Sequence, residues 1–207
     1  MPEFTLTSAP PLTVAPGPHG REGAGSRLCL TALKARAMVQ VMARRNRHEE
    51  LTELVRDRYG LVLPNEPKVV RGDRVSFLWA GRHQWLAVAA EEEAGGFLGE
   101  LRTVVHAAAS LSDQSDARFA VTVTGLKVRD ALAKLVPIDL HPAVFRHGQT
   151  ALTLFGHMGG QITHVDELPT FELMVFRGFA QSLWHALLAA GAEFGIDVLE
   201  PSVAGNR

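Results

Sequence analysis

From residue 28 onward, apolar positions alternate between period-two and helical spacing. Within 28–45, Val39 and Val41 alternate with Met38, Gln40 and Met42, which predicts a strand or hairpin region. A helix follows: Asn46 with Glu49 offers a capping box, and Leu51, Leu54 and Val55 form an apolar stripe. Gly60 suits the left-handed C-terminal position, and Pro64 and Pro67 block continuation. Val75, Phe77 and Trp79 alternate along one strand; Trp85, Ala87 and Ala89 alternate along the next. Ala80, Gly81, Arg82 and His83 form the hairpin loop between them. Gly95 and Gly96 break the chain before a second helix. Its face carries Leu98, Leu101, Val104 or Val105, and Ala108, with room for a strand near 109–111. The order β-α-β-β-α predicts a ferredoxin-like split βαβ unit.

The pattern then restarts. Phe119, Val121 and Val123 point one way, and Arg118, Ala120, Thr122 and Thr124 the other. After Gly125, residues Val128, Ala131, Leu132 and Leu135 share one helical face, and Pro137 and Pro142 end that helix. Strands are expected at 150–155 and 161–165, joined through 156–160, and again at 171–177. Phe179, Leu183, Ala186, Leu187 and Ala190 define a final helix ending near Gly195, and 196–199 reads as a last short strand. No internal repeat is evident. The expected fold class is α+β: a ferredoxin-like βαββα first half followed by a second small α/β unit. The expected divisions are an extended arm over 1–26, units over 27–110 and 111–199, and a tail over 200–207.

The arm carries Pro2, Pro10, Pro11, Pro16 and Pro18 with Gly17, Gly20, Gly23 and Gly25, a composition that resists ordering. It reads as a tail, or as an arm laid across a partner. Hydrophobic residues make up 46% of the chain, enough for a substantial core. No apolar run approaches the ~20 residues that span a bilayer, so no membrane association is expected. A net charge of -1 supplies no field to hold nucleic acid. Cys29 is the only cysteine, which rules out an internal disulfide and any multi-cysteine metal site. With no secretory signal at the N-terminus, a cytoplasmic location is expected.

Candidate chemistry is sparse. The glycines at 20, 23 and 25 sit in a proline-rich arm rather than between a strand and a helix, so they are not a dinucleotide loop. The glycines at 156, 159 and 160 precede a strand and lack a lysine, so they are not a phosphate cradle. Of nine histidines, His141 with His147, or His157 with His164, are the metal candidates. Neither pair has helical ligand spacing, and the best case has His157 facing His164 across a hairpin. Asp113, Ser115 and Asp116 sketch a hydrolase triad without a nucleophile elbow. Asp113 and Ser115 are better read as satisfying backbone groups at a strand entry. Arg44, Arg45 and Arg47 beside His48 are neutralised by Glu49, Glu50 and Glu53. Trp184 lies off the Leu183/Leu187 stripe. Together with Arg177 and Arg118 it is the candidate subunit interface. No catalytic, cofactor-binding or metal residue is assigned.

Three blocks resemble the gamma subunit of heterotetrameric sarcosine oxidase, a relative in fold of the folate-binding domain of the glycine-cleavage T-protein. They are Leu78-Trp79-Ala80-Gly81 through Gln84-Trp85-Leu86; then Asp113-Gln114-Ser115 with Arg118 and Ile138-Asp139-Leu140-His141-Pro142; then Val175-Phe176-Arg177-Gly178-Phe179-Ala180 leading to Ser182-Leu183-Trp184. Arg82 stands where that family usually has proline, and Gly178 where it has serine. The resemblance implies a non-catalytic structural subunit, with alpha, beta and delta subunits as partners. The complex would demethylate sarcosine oxidatively to glycine, form peroxide and pass a one-carbon unit to tetrahydrofolate. It also implies that FAD, FMN, NAD and tetrahydrofolate belong to the larger subunits and zinc to the delta subunit, with none bound by this chain. The alternatives are the equivalent subunit of a related N-methyl amino acid oxidase or dehydrogenase, and an independent tetrahydrofolate-binding protein.

Overall fold

The computed structural model describes residues 10–21, 28–89 and 94–202. Residues 1–9 of the arm, Gly23 and Gly25 of the rejected dinucleotide loop, and 203–207 of the tail lie outside the described residues.

The chain forms four layers, helices–sheet–sheet–helices. The five-stranded sheet contains β3 (Ala37–Ala43), β4 (Val69–Arg71), β5 (Val75–Gly81), β6 (Gln84–Ala89) and β7 (Ala109–Asp113) in the order β4-β5-β6-β3-β7. All its pairings are antiparallel. With α1 (His48–Tyr59) and α2 (Ala94–Val105) as crossovers, this is the expected ferredoxin-like unit, with β4 added at one edge. Alternation along its strands sends Val39, Val41, Val75, Phe77, Trp85 and Ala87 toward Leu51 and Val55 of α1 and Phe97 and Leu101 of α2. The Trp85 indole satisfies its one donor on the Pro64 carbonyl at 2.7 Å.

Two local expectations change. The capping box does not form: α1 starts after Arg47 without a side-chain cap, and Asn46 takes a left-handed φ of 61°. The short polar side chain of asparagine tolerates that conformation, so Asn46 turns the chain instead of capping it. Gly95 and Gly96 lie within the first turn of α2 rather than ahead of it. Gly60 does end α1 in the left-handed region, at φ 69°.

The seven-stranded sheet runs β1-β12-β2-β8-β11-β10-β9. Its strands are β1 (Gly17–His19), β2 (Leu28–Leu33), β8 (Arg118–Thr124), β9 (Thr150–Phe155), β10 (Met158–Asp166), β11 (Thr170–Phe176) and β12 (Ile196–Ser202). One face packs on α3 (Val128–Leu132) and α4 (Ala180–Gly191) through Val121, Leu132, Phe155, Ile162, Phe171 and Leu183. The run β8-α3-β10-β11-α4-β12 repeats the order of the first unit. This topological repeat is invisible as sequence similarity because only the apolar spacing is shared. β2 is inserted between β8 and β12, antiparallel to the first and parallel to the second.

The region 28–45 is therefore two strands in two sheets, and the first of them belongs to the second unit. Sequence periodicity cannot distinguish a hairpin from a crossover, because both strands bury alternate residues. The crossing is held at Arg36, which is 7% exposed. Its guanidinium donates to both carboxylate oxygens of Glu172 on β11, at 2.6 and 3.2 Å. Residues 10–21 do not form a free tail: β1 pairs with β12, and Leu12 and Val14 pack on the core. Arg21 N–H donates to Ala192 O at 2.8 Å. At neighbouring Gly20 a Cβ would lie 2.4 Å from that same oxygen, so glycine is required for this close approach. The expected tail from 200 likewise begins inside β12. The β9–β10 turn is only Gly156 and His157, with Met158, Gly159 and Gly160 already in β10. Among the described residues, no helix is long and apolar enough to cross a membrane.

Candidate functional site

The two sheets meet face to face through Met38, Leu78, Leu86 and Val88 against Ala120 and Met174. Gln161, only 5% exposed, ties them further: its amide donates across to Trp79 O at 2.9 Å and, within its own sheet, to Thr150 Oγ1 at 2.9 Å. Beyond that contact the sheets diverge and leave a cleft of about 360 Å³. Gln40, Ala80 and Gln84 line it from the five-stranded sheet; Arg118, Leu152, Gly159 and Phe176 line it from the other. Strand register explains the second set. Arg118 pairs with Phe176, and Gly159 with Leu154, so these residues and their i±2 neighbours share the face that looks toward the first sheet.

Among the described residues, Arg118 is the only charged group lining the cleft. Its guanidinium carbon sits 4.0 Å from the Phe176 ring centroid, a cation–π stack. Its Nε is buried without a hydrogen-bond partner, and no acid among the described residues pairs with it. Burial accordingly pulls the Arg118 pKa below its ordinary value. A reduced pterin presents a row of N–H donors that calls for a carboxylate. The described residues that line the cleft include none, so they do not fit that group.

The other sequence candidates separate. Arg177 follows Phe176, the register partner of Arg118, in a 3-10 turn (Arg177–Phe179), and its amide donates to Ala117 O at 2.8 Å. Trp184 does not join them. It is 6% exposed and packs in the core under α4, so it is not a surface contact face. The apolar stripe of α4 is wide enough to include it, since the helix is covered by the sheet along Ala180, Leu183, Trp184 and Leu187. The exposed apolar residues near the cleft are instead Leu152, Leu154 and Phe176.

The Asp113–Ser115 motif builds structure. Asp113 Oδ1 accepts from Ser115 N–H at 2.9 Å and Ser115 Oγ at 2.7 Å, and Ser115 Oγ accepts Met38 N–H at 3.0 Å. The clasp fastens the β7–β8 connection to β3. The two Ser115 donors hold the Asp113 carboxyl below the usual carboxylate range. His157 and His164 do not face one another, since one sits in the turn and the other lies buried along β10. His164 stacks on Phe171 with centroids 4.8 Å apart. Its ring nitrogens approach the backbone of Phe145 and Arg146 without closing to hydrogen-bond geometry. Burial, with the Arg129 guanidinium adding to it, pushes its pKa down. His141 is used locally: its Nδ1 accepts Ala143 N–H at 3.2 Å, and its own N–H donates to Asp139 at 2.8 Å. Among the described residues, no group of three His, Cys, Asp or Glu converges as a metal site. A second hollow of about 300 Å³ is lined by Glu66, Lys68, Asp139 and Phe145. Its charges are satisfied locally, Lys68 by Glu66 at 2.5 Å and Asp139 by the His141 amide.

Comparison with known proteins agrees with this architecture. A chain of the heterotetrameric sarcosine oxidase of Corynebacterium sp. U-96 superposes with a TM-score of 0.72 at 21% identity, covering 85% of this chain and 88% of that one. The glycine cleavage system aminomethyltransferase T of Bartonella henselae superposes at 0.63 with 13% identity, over 85% of this chain and 48% of its own. Both likenesses establish the fold. No curated protein matches the sequence. The family described as "Sarcosine oxidase, gamma subunit family" matches residues 48–193, and the chain therefore belongs to the sarcosine oxidase gamma subunit family.

Proposed function

We propose that this protein is a non-catalytic structural subunit of a sarcosine-oxidase-type heterotetramer, assembled with alpha, beta and delta chains. In this reading the complex oxidatively demethylates sarcosine to glycine with peroxide formation and passes the one-carbon unit to tetrahydrofolate. FAD, FMN, NAD, tetrahydrofolate and zinc reside in the partner chains, and the assembly works in the cytoplasm. The family match over residues 48–193 carries the proposal. The use made of the polar motifs supports it. Asp113 and Ser115 fasten β7–β8 to β3, Gln161 joins the two sheets, and Arg36 with Glu172 holds the crossover. Each is committed to holding the fold together.

Co-expression of the four chains tests this reading. A single stable flavoprotein that oxidises sarcosine is expected, with assembly lost when this chain is omitted and no colour or turnover in the purified chain alone. A three-chain complex with full activity and stability would refute the structural role. Turnover or bound flavin in the lone chain would refute its non-catalytic character.

A further inference from the structure

We propose that the cleft around Arg118 is a docking site for an acidic side chain, Asp or Glu, presented by another subunit within an apolar segment. The proposal rests on the assembly reading above and names the chemistry of one of its contacts.

The first observation is a charge without a partner. Arg118 is half-buried and stacked on Phe176, its Nε has no acceptor, and no acid among the described residues reaches it. Withdrawing a guanidinium from water costs free energy unless an anion or acceptors replace the lost hydration. The fold itself demonstrates the alternative: Arg36, buried in the crossover, has an orphan Nε as well, but its two other guanidinium nitrogens meet both oxygens of Glu172. Arg118 is half-buried on the cleft face of β8 and stacked on Phe176, with no such acid among the described residues.

The second observation is room. Gly159 lies on the cleft floor, and a Cβ there would meet nothing within 4 Å. The amides of Gln40 and Gln84 face the same space from the opposite sheet and offer donors to a carboxylate. A carboxylate matches the guanidinium fork with two parallel hydrogen bonds.

The third observation selects a protein over a free anion. Leu152, Leu154 and Phe176 are 51%, 47% and 48% exposed, and all stand on the cleft face of the sheet. Leu152 and Leu154 stand on β9, the sheet edge, and Phe176 at the end of β11, two strands in. A small anion would leave this rim in water. An acidic residue carried on an apolar segment would pair Arg118 and cover the rim together, and arginine with aromatic and apolar surface is the composition of an interface centre.

The test uses the four-chain complex with this chain immobilised. Arg118→Met removes the charge while keeping a side chain that can lie over Phe176. Gly159→Leu fills the cleft and leaves the charge. Each is expected to speed dissociation of the partners about 30-fold or more, as truncation of a desolvated interfacial charge pair does. Both variants should retain the unfolding midpoint of the free wild-type chain. Wild-type dissociation should accelerate with added salt, and that of Arg118→Met should not. A folded Arg118→Met chain that dissociates at the wild-type rate overturns the proposal while leaving the assembly reading intact. If the wild-type chain does not co-purify with its partners at all, the assembly reading and this proposal fall together. Calorimetry of the full chain with glutarate distinguishes the source of the carboxylate. Absence of heat is expected, and saturable binding that Arg118→Met abolishes would make the cleft a small-anion site and overturn the docking role.

Discussion

In the five-stranded sheet the first and last strands of the split βαβ unit, β3 and β7, sit side by side. In the seven-stranded sheet their equivalents, β8 and β12, are held apart by β2. The first half is thus closed by contacts within residues 37–113, whereas the second half needs a strand delivered from residues 28–33. Loop closure over such separations carries an entropic cost that must be offset by specific contacts. They are found at the crossover: the Arg36–Glu172 pair and the Lys34 N–H bond to Ser202 O at 2.9 Å. The comparison also accounts for the surface. α1 and α2 cover one face of the first sheet and the second sheet covers part of the other. On the second sheet, β9 and the end of β11 extend past that cover and leave Leu152, Leu154 and Phe176 exposed.

The strongest way to break the second half is within its core. Trp184→Ala should destabilise the free chain by about 3–5 kcal/mol, measured by urea unfolding, because it opens a large cavity under α4. A stable monomer with a weakened complex would instead make Trp184 a contact residue. Glu172→Ala should cost about 3–5 kcal/mol by leaving Arg36 buried and unpaired. The double change Arg36→Met with Glu172→Leu should recover most of that loss. An Glu172→Ala loss below about 1 kcal/mol would remove the clamp from the account. Ser115→Ala cuts the clasp between the halves. It strands the Met38 amide and should cost about 1–3 kcal/mol.

His164 sharpens the comparison through pH, since it lies only in the second half. Its folded pKa is depressed by burial, so the unfolded chain takes up its proton first as pH falls. Stability should therefore be full above the ordinary histidine value of 6.5 and decline as pH drops below it. His164→Phe should flatten that decline in unfolding midpoints between pH 7 and 5. An unchanged slope would assign the acid sensitivity to other groups. The smallest effect is expected at Leu152→Thr, within about 0.5 kcal/mol in the free chain because the side chain is half in water. A larger loss would mean that this rim contributes to the fold itself.

Much of this architecture was legible in the sequence. Period-two runs at Val75/Phe77 and Phe119/Val121/Val123, helical spacing at Leu51/Val55 and Val128/Ala131/Leu132, and Gly60 at a helix end each depend on neighbours close in the chain. So did the structural use of Asp113 and Ser115, two residues apart. The misreadings share a cause. Asn46 and Glu49 have the spacing of a cap, but the turn geometry uses Asn46 differently. Trp184 looks peripheral on a helical wheel, but the sheet beneath α4 is broad enough to bury it.

What the sequence determined by itself was therefore local: the α+β character, the ferredoxin-like first unit, and the family, which follows from the order of short blocks along the chain. Only the tertiary structure decided that β2 crosses into the second sheet, that the arm closes that sheet's edge at β1, and that Arg118 ends beside Phe176 at the mouth of a cleft. Those outcomes depend on which strand edges meet across long stretches of chain. Apolar periodicity encodes which face of a strand is buried, but it does not specify the partner that buries it.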